Sequence, residues 1–295
     1  MRPQAPETSN PPSRLVFHYT KAETAICHIL PSGQIRLGRY LNANDPREAK
    51  DWQLGVTYGG PGTSEEYRQL SQRTWDEMEK VQASIRLFCC TMDPRQNPSA
   101  QPHELRGFGK SRMWAQYASD EKRRLHTGVC LVFDAKTLHS RIQADVPNSV
   151  RTWSGPVDYQ VLAHLDDHAA MSIDGNLAES SGAETALRMH VESNMQHLLF
   201  TKSLDWSDEV EFRWVCSAPA VADDIHIDIG NALVGVIAGL DFPQSAIPAL
   251  VGLCSRAKVL LCKMRWNQGQ WRRPSVLGNS SIKELESTLG FPPGT

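Results

Sequence analysis

Trp206-Ser207-Asp208-Glu209-Val210-Glu211-Phe212-Arg213-Trp214-Val215 is the stretch on which the reading of this chain turns. Alternate side chains of a strand share a face, so the pattern predicts a strand over 209–216 with Val210, Phe212 and Trp214 turned to a core. Glu209, Glu211 and Arg213 then stand together on the opposite face. Two carboxylates about 6 to 7 Å apart along one strand repel each other, which raises the pKa of at least one unless a cation such as Arg213 compensates. Such a pair suits chemistry in which one carboxylate steadies positive charge while the other manages a proton. It equally describes the solvated acidic face of an antiparallel strand, and the residues alone leave both readings open.

Working outward, Thr127 to Phe133 (TGVCLVF) reads as a central strand with Asp134 poised to cap a following helix. Ser84 to Met92 reads as a buried strand. Near the start, Leu15 to Tyr19 has strand composition, and Lys21 to Leu30 sets Ala22, Ala25, Ile26, Ile29 and Leu30 at helical spacing before Pro31-Ser32-Gly33 ends the helix. Gln34 to Leu37 is extended, and Leu41 to Pro46 is dense in turn formers. Thr63 and Glu66 match a capping box opening an amphipathic helix with Tyr67, Leu70, Trp75, Met78 and Val81 inward. Residues 93–109 read as a long surface loop, 111–118 as helix, 160–181 as loosely periodic, and 183–200 as a helix with Leu187, Val191, Met195 and Leu198 inward. Further strands are expected at 225–229, 233–238 and 257–264, with a helix near 244–254 introduced by Pro243. Interleaved strands and helices with no internal repeat and no hinge between domains predict one α+β domain over 13–280, with a disordered tail at 1–12 and a second tail at 281–295.

Composition restricts the function classes. The 295 residues carry 31 Lys and Arg against 33 Asp and Glu, which supplies no broad basic field for gripping duplex DNA. No run approaches the length of a membrane span, and the opening MRPQAPETSNPP lacks the apolar core of a secretion signal, so a cytoplasmic protein is expected. Seven cysteines, at 27, 89, 90, 130, 216, 254 and 262, include no CxxC pair and fall mostly in apolar runs, as reduced core residues do. There is no HExxH or zinc spacing, so no metal is expected, and no P-loop, GxGxxG or nucleophile elbow occurs.

Other residues could carry chemistry. His18 and Thr20 project from one face at the end of the first strand, where they suit a sugar's hydroxyls; Thr20 as a helix N-cap and His18 as a core histidine explain them as well. Trp114 and Tyr117, three apart on a helix, could wall a flat ring or pack in the core. Asn42 to Pro46 offers amides and a carboxylate on a fixed loop, or simply a turn. Lys122, Arg123 and Arg124 form a short basic cluster, able to hold phosphates or to be a solvated run.

In order, FHYT, ILPSG, LNANDPRE, MWAQYA, HTGVCLVFD and KSLDWSDEVEFRW resemble the bacterial family called domain of unknown function 2971, over roughly residues 14–240. Arg47 stands where that family usually has an aromatic residue. The family in turn resembles the ADP-ribosyltransferase superfamily, matched here by His18-Tyr19-Thr20, by Tyr117 as central aromatic, and by Glu209-Val210-Glu211. Ser84 to Met92 or Tyr159 are alternatives for the central position.

This resemblance implies a split, mixed or antiparallel sheet flanked by helices, with NAD as substrate. It implies His18 on the adenosine ribose, Tyr117 on the nicotinamide, and Glu211 on the nicotinamide ribose 2′-hydroxyl. Tyr19, Thr20, Asn44, Trp114 and Arg213 join the expected NAD-binding set, with Arg213 holding the carboxylates ionised or touching the pyrophosphate. Glu211 and Glu209 are the expected catalytic residues. The expected activity is transfer of ADP-ribose to a protein or nucleic-acid acceptor, as in a bacterial toxin or defence effector. NAD hydrolysis and a non-catalytic nucleotide or nucleic-acid binding module are the alternatives.

Overall fold

The computed structural model describes residues 9, 11–46, 48, 52, 54–57, 63–93, 102–120, 122, 125–148, 150–161, 170–217 and 224–293. Within them the chain is α+β, built on a mixed sheet of nine strands. These are β1 (Leu15–Thr20), β2 (Gly38–Arg39), β3 (Ile85–Met92), β4 (Val129–Asp134), β5 (Arg151–Pro156), β6 (Glu211–Ser217), β7 (Leu233–Ala238), β8 (Leu260–Asn267) and β9 (Gln270–Val276). Their order is β9-β8-β7-β4-β1-β3-β6-β5, with β2 joined to β3 beside β1. Only β7 and β8 run parallel in this sheet, linked by a crossover through the helix Ile247–Ala257.

The core explains why these segments are strands. In β4, Cys130, Leu131, Val132 and Phe133 are all fully buried, so the strand is apolar throughout because both of its faces are covered. On one face Val16, Phe88, Phe133, Phe212 and Trp214 pack with Leu138 and Ile142 of the helix Ala135–Asp145, which Asp134 caps through the Thr137 N–H. On the other, Phe17, Tyr19, Val132 and Ile237 meet Trp114 of the helix Ser111–Tyr117. A third cluster joins Val81 of the helix Ser64–Ser84 to Ile85, Leu187, Val191 and Met195. Thr63 and Glu66 form the expected capping box on Ser64–Ser84, but Trp75 of that helix is half exposed, its indole N–H held by the Leu54 carbonyl.

Several expectations are corrected. The tail expected at 281–295 is, over its described residues 281–293, part of the fold: Ser281 caps a helix, Ile282–Leu289, whose Leu285 and Leu289 are buried on the sheet, and Phe291 follows them in. The strand expected at 257–264 is displaced to β8 and folds back as β9, because Gln268 and Gly269 both take positive φ and make a two-residue turn. The described part of the 93–109 segment lies on the surface only at 102–105, since Asp93, Arg106 and Phe108 are buried and Arg106 pairs with Asp93 at 3.0 Å. The helix expected over 183–200 is interrupted at Asn194, whose side chain donates to the His190 carbonyl, giving Ala183–Ser193 and Met195–Leu199.

Residues 1–8 and 10 of the expected N-terminal tail, together with Arg47, Arg123 and Arg124, lie outside the described residues; Ser9 exchanges hydrogen bonds with Ser154 of β5. No helix of the described residues is long and apolar enough to cross a membrane, and the seven cysteines are free thiols.

Candidate functional site

β1 and β2 share one edge of β3. β1 pairs at Thr91 and Met92, β2 pairs at Arg86 and Leu87, and neither reaches Phe88 to Cys90. The sheet therefore opens, and a cavity of about 370 Å³ occupies the opening, within the range of small-molecule sites.

His18 stands at this gap. Its ring stacks on Phe88 with centroids 4.5 Å apart, and Nδ1 lies 2.9 Å from the Cys89 carbonyl. A carbonyl can only accept, so Nδ1 carries the proton and Nε2 is left as an acceptor on a neutral ring. Burial lowers the His18 pKa by more than the Cys89 bond raises it.

The carboxylates come together by a route that strand alternation does not describe. Glu209 ends a 3-10 helix, Leu204–Glu209, and Val210 takes a left-handed conformation (φ 45°, ψ 53°) before β6 begins at Glu211. A β-branched residue there is strained. The turn nonetheless directs both carboxylates at one ammonium: Lys202 Nζ donates to Glu209 Oε2 at 2.7 Å and to Glu211 Oε2 at 2.8 Å. Lys202 belongs to a short strand, Thr201–Ser203, paired in parallel with Asp158–Gln160. The Tyr159 hydroxyl accepts the Glu211 N–H at 2.9 Å, fixing the start of β6.

Around this pair the cluster continues inward. Arg213 donates to Glu211 Oε1 at 2.7 Å and Oε2 at 3.1 Å, and to the Leu199 carbonyl at 2.7 Å. It also forms an ion pair with Glu48, whose carboxylate lies 3.8 Å from Lys202 Nζ. Tyr117 donates to Glu209 Oε1 at 2.8 Å and takes a hydrogen bond from Asn44. Glu48, Glu209, Glu211, Lys202 and Arg213 are all buried, so three carboxylates face two cations in a site where water screens them little.

The protonation states follow. Burial would raise the Glu211 pKa, but Arg213 and Lys202 outweigh it and hold the carboxyl well below its ordinary value. For Glu209, burial prevails over Lys202 and Tyr117 and the pKa is raised. Lys202 stays charged, because Glu211, Glu48 and Glu209 outweigh its own burial. Tyr117 remains a phenol, pushed up first by burial and then by Glu209. The cluster thus holds one firmly ionised carboxylate beside another that binds a proton more readily, the division needed for charge stabilisation and proton transfer.

His18, Asn44, Tyr117, Glu209, Glu211 and Arg213 all line the one cavity. Tyr19 also lines it, with its hydroxyl already donated to the Gly107 carbonyl at 2.6 Å and its buried ring packed edge-on to Trp114. Trp114 is likewise core and not a wall, with its indole N–H on the Phe108 carbonyl at 2.8 Å. Thr20 is buried at the end of β1, outside the cavity lining, where Gly128 approaches so closely that a Cβ would sit 2.3 Å from the Thr20 carbonyl. Arg213 is 1 % exposed and faces Glu211, Glu48 and a carbonyl, so it orders carboxylates and is not placed to grasp a pyrophosphate. The face of β6 bearing Glu211 and Arg213 is interior, not a solvated acidic face.

Lys202 and Glu48 were not singled out from the sequence. Their signals were a lone lysine following Leu198-Leu199-Phe200, and an acid closing the Asn42 to Glu48 loop. Among the described residues no group of three or more His, Cys, Asp or Glu is arranged to hold a metal ion.

Residues 113–214 match the model of a family described as a protein of unknown function (DUF2971). The match takes in Tyr117, Lys202, Glu209, Glu211 and Arg213, whereas His18, Asn44 and Glu48 lie before it. No curated protein and no solved structure matches the chain.

Proposed function

We propose that the cavity binds NAD and that the chain breaks the nicotinamide N-glycosidic bond, passing ADP-ribose to a protein or nucleic-acid acceptor, as an ADP-ribosyltransferase does. The observation that carries this reading is the buried surplus of carboxylate, three against two cations, opening into the same cavity as a neutral histidine and a tyrosine. A surplus negative charge in a poorly screened site favours a species that gains positive charge over one that does not.

In this mechanism the C1′–N bond breaks and its electron pair leaves with nicotinamide, so the ribose becomes oxocarbenium-like. Glu211, ionised and fixed by Arg213 and Lys202, stabilises that charge. The acceptor's nucleophile bonds to C1′ and its proton passes to Glu209, the more basic of the two carboxylates. His18 Nε2 accepts a hydroxyl of the adenosine ribose, and Tyr117 stands beside the nicotinamide. Water in place of the acceptor turns the same steps into NAD hydrolysis.

Glu209→Gln is the discriminating variant, because an amide of the same size still accepts from Lys202 through its oxygen and meets the Tyr117 oxygen with its NH2, reversing that one hydrogen bond while removing one charge. Nicotinamide release is expected to fall by about a hundredfold as the surplus charge is lost. Acceptor labelling is expected to fall by a further hundredfold or more as the general base is lost. Binding of ADP-ribose, which lacks the cationic ring, stays as in the parent. Undiminished nicotinamide release in this variant would overturn the mechanism.

Glu211→Gln is less informative, since Glu211 accepts three hydrogen bonds from Arg213 and Lys202 and the substitution would leave buried cations short of a partner. Those same contacts favour a second reading, a nucleotide-binding module without catalysis, in which Glu211 is a structural anion. Nucleotide binding to the parent protein without nicotinamide release, with cell extract supplied as acceptor, would select it.

A further inference from the structure

The opposite rim of the cavity is cationic. Arg36 and Arg39 line it, and Arg39 pairs in register with Arg86 across β2 and β3. Residues directly opposed in an antiparallel pair project from one face, and like charges there destabilise the sheet. Arg86 is 1 % exposed, and although one of its terminal nitrogens donates to the Ala83 and Ile85 carbonyls, its Nε has no hydrogen-bond partner among the described residues. The carboxylate at this rim is Asp224, paired with Arg36 at 3.0 Å across a largely exposed contact. Arg39 makes no ion pair among the described residues. Among the described residues three guanidinium groups therefore meet one acid, the reverse of the balance around Lys202.

We infer that Arg36 and Arg39 on this rim, with the buried Arg86 paired behind Arg39, form a phosphate subsite, and that the cavity takes a nucleotide diphosphate with its phosphates on this rim and its reacting end toward Glu211. The inference deepens the NAD reading and rests on it for the second half. The strand supplies the ruler: Glu211 pairs with Thr91 and Arg39 with Arg86, five residue steps or about 17 Å apart along β3, an odd number that sets the two pairs on opposite faces, so the ligand would run through the gap beside Phe88 to Cys90. An anion between Arg39 and Arg86 would relieve their repulsion and accept from the unpartnered guanidinium edge, the pairing for which arginine is suited. Burial, and then the neighbouring Arg39, lower the Arg86 pKa, in keeping with a site short of negative charge.

The test titrates the full chain with ADP-ribose, ADP, inorganic pyrophosphate and adenosine by calorimetry, in the parent and in Arg39→Gln. Arg39 is exposed, and an unchanged unfolding temperature verifies that the variant folds. ADP-ribose, ADP and pyrophosphate are expected to bind the parent and to weaken roughly tenfold or more in the variant, with affinity falling as salt rises. Adenosine binding should not change.

Equal affinity of parent and variant for ADP overturns the inference, as does an equal loss of adenosine binding. NAD cleavage with an unchanged KM in Arg39→Gln overturns the subsite and leaves the proposed reaction standing. Arg39-dependent binding of ADP without NAD cleavage supports the subsite and removes the reaction. Failure of the parent to bind any of the four probes overturns both.

Discussion

Lys202→Met tests whether the buried cluster is held by one ammonium. Methionine fills the space of the lysine stem with a flexible apolar chain, so the change is in charge. The parent ammonium lies 2.7 Å from Glu209, 2.8 Å from Glu211 and 3.8 Å from Glu48, with its side chain almost wholly buried. Without it three carboxylates face Arg213 alone. Breaking a buried pair by removing one partner costs about 3 to 5 kcal/mol, and for a domain of this size that lowers the unfolding temperature by roughly 10 °C.

The loss depends on pH, with a sign fixed by Glu209. Its folded pKa is raised by burial, with Lys202 acting to lower it, so removing Lys202 raises it further. A raised carboxyl contributes stability that is fully present below the unfolded pKa, about 4.3, and lost as pH rises through the folded value. The variant should therefore regain roughly half of its deficit between pH 8 and pH 5.5, as Glu209 takes up the proton that replaces the missing charge. Thermal unfolding followed by circular dichroism at the two pH values measures this. An unfolding temperature within about 2 °C of the parent at pH 8 would mean that the ammonium is not holding the carboxylates. A full-size loss that does not change with pH would mean that Glu209 is not the group that answers it.

His18→Ala removes the Nε2 acceptor and is expected to weaken NAD binding about tenfold at pH 8 by calorimetry. In the parent, where burial lowers the His18 pKa, affinity is expected to stay flat down to pH 7 and to fall only as acid converts the acceptor to a donor. Tyr117→Phe leaves Glu209 Oε1 without its donor and should cost about 1 to 3 kcal/mol, read as a lower unfolding temperature and as an upward shift of the acidic limb of the nicotinamide-release profile. Truncation after Gly278 removes Leu285, Leu289 and Phe291 from the core along with the Leu289 carbonyl that accepts from Arg106. At about 1.5 to 3 kcal/mol for each buried side chain, limited proteolysis should find the truncated chain largely unprotected; resistance equal to the parent's would show that the helix Ile282–Leu289 is dispensable.

The parts of the fold legible in the sequence were those set by local pattern. The apolar run of β4, the capping box at Thr63 and the Asp134 cap are short-range signals, and each element formed where its pattern lay. The site was legible as a set of residues but not as a geometry. His18, Asn44, Tyr117, Glu209 and Glu211 do share a cavity, which Tyr19 also lines, while Thr20 and Trp114 lie outside its lining: alternation along β1 and spacing on Ser111–Tyr117 define faces without saying what covers them. Tyr19 and Trp114 are covered by one another and by the loop at Gly107 and Phe108.

The Glu209 and Glu211 pairing shows the limit most sharply. Period-two alternation places them on one strand face, and they do converge, yet Val210 is left-handed and Glu209 precedes the strand. What unites them is Lys202, which arrives from another element through its pairing beside Tyr159. A lysine buried after Leu198-Leu199-Phe200 is costly unless it is paired, so its position implies carboxylate partners from elsewhere in the chain. Glu209 and Glu211 repel each other unless a cation stands between them. The two anomalies are complementary, and the fold resolves both at once by setting the buried Lys202 ammonium between the two carboxylates.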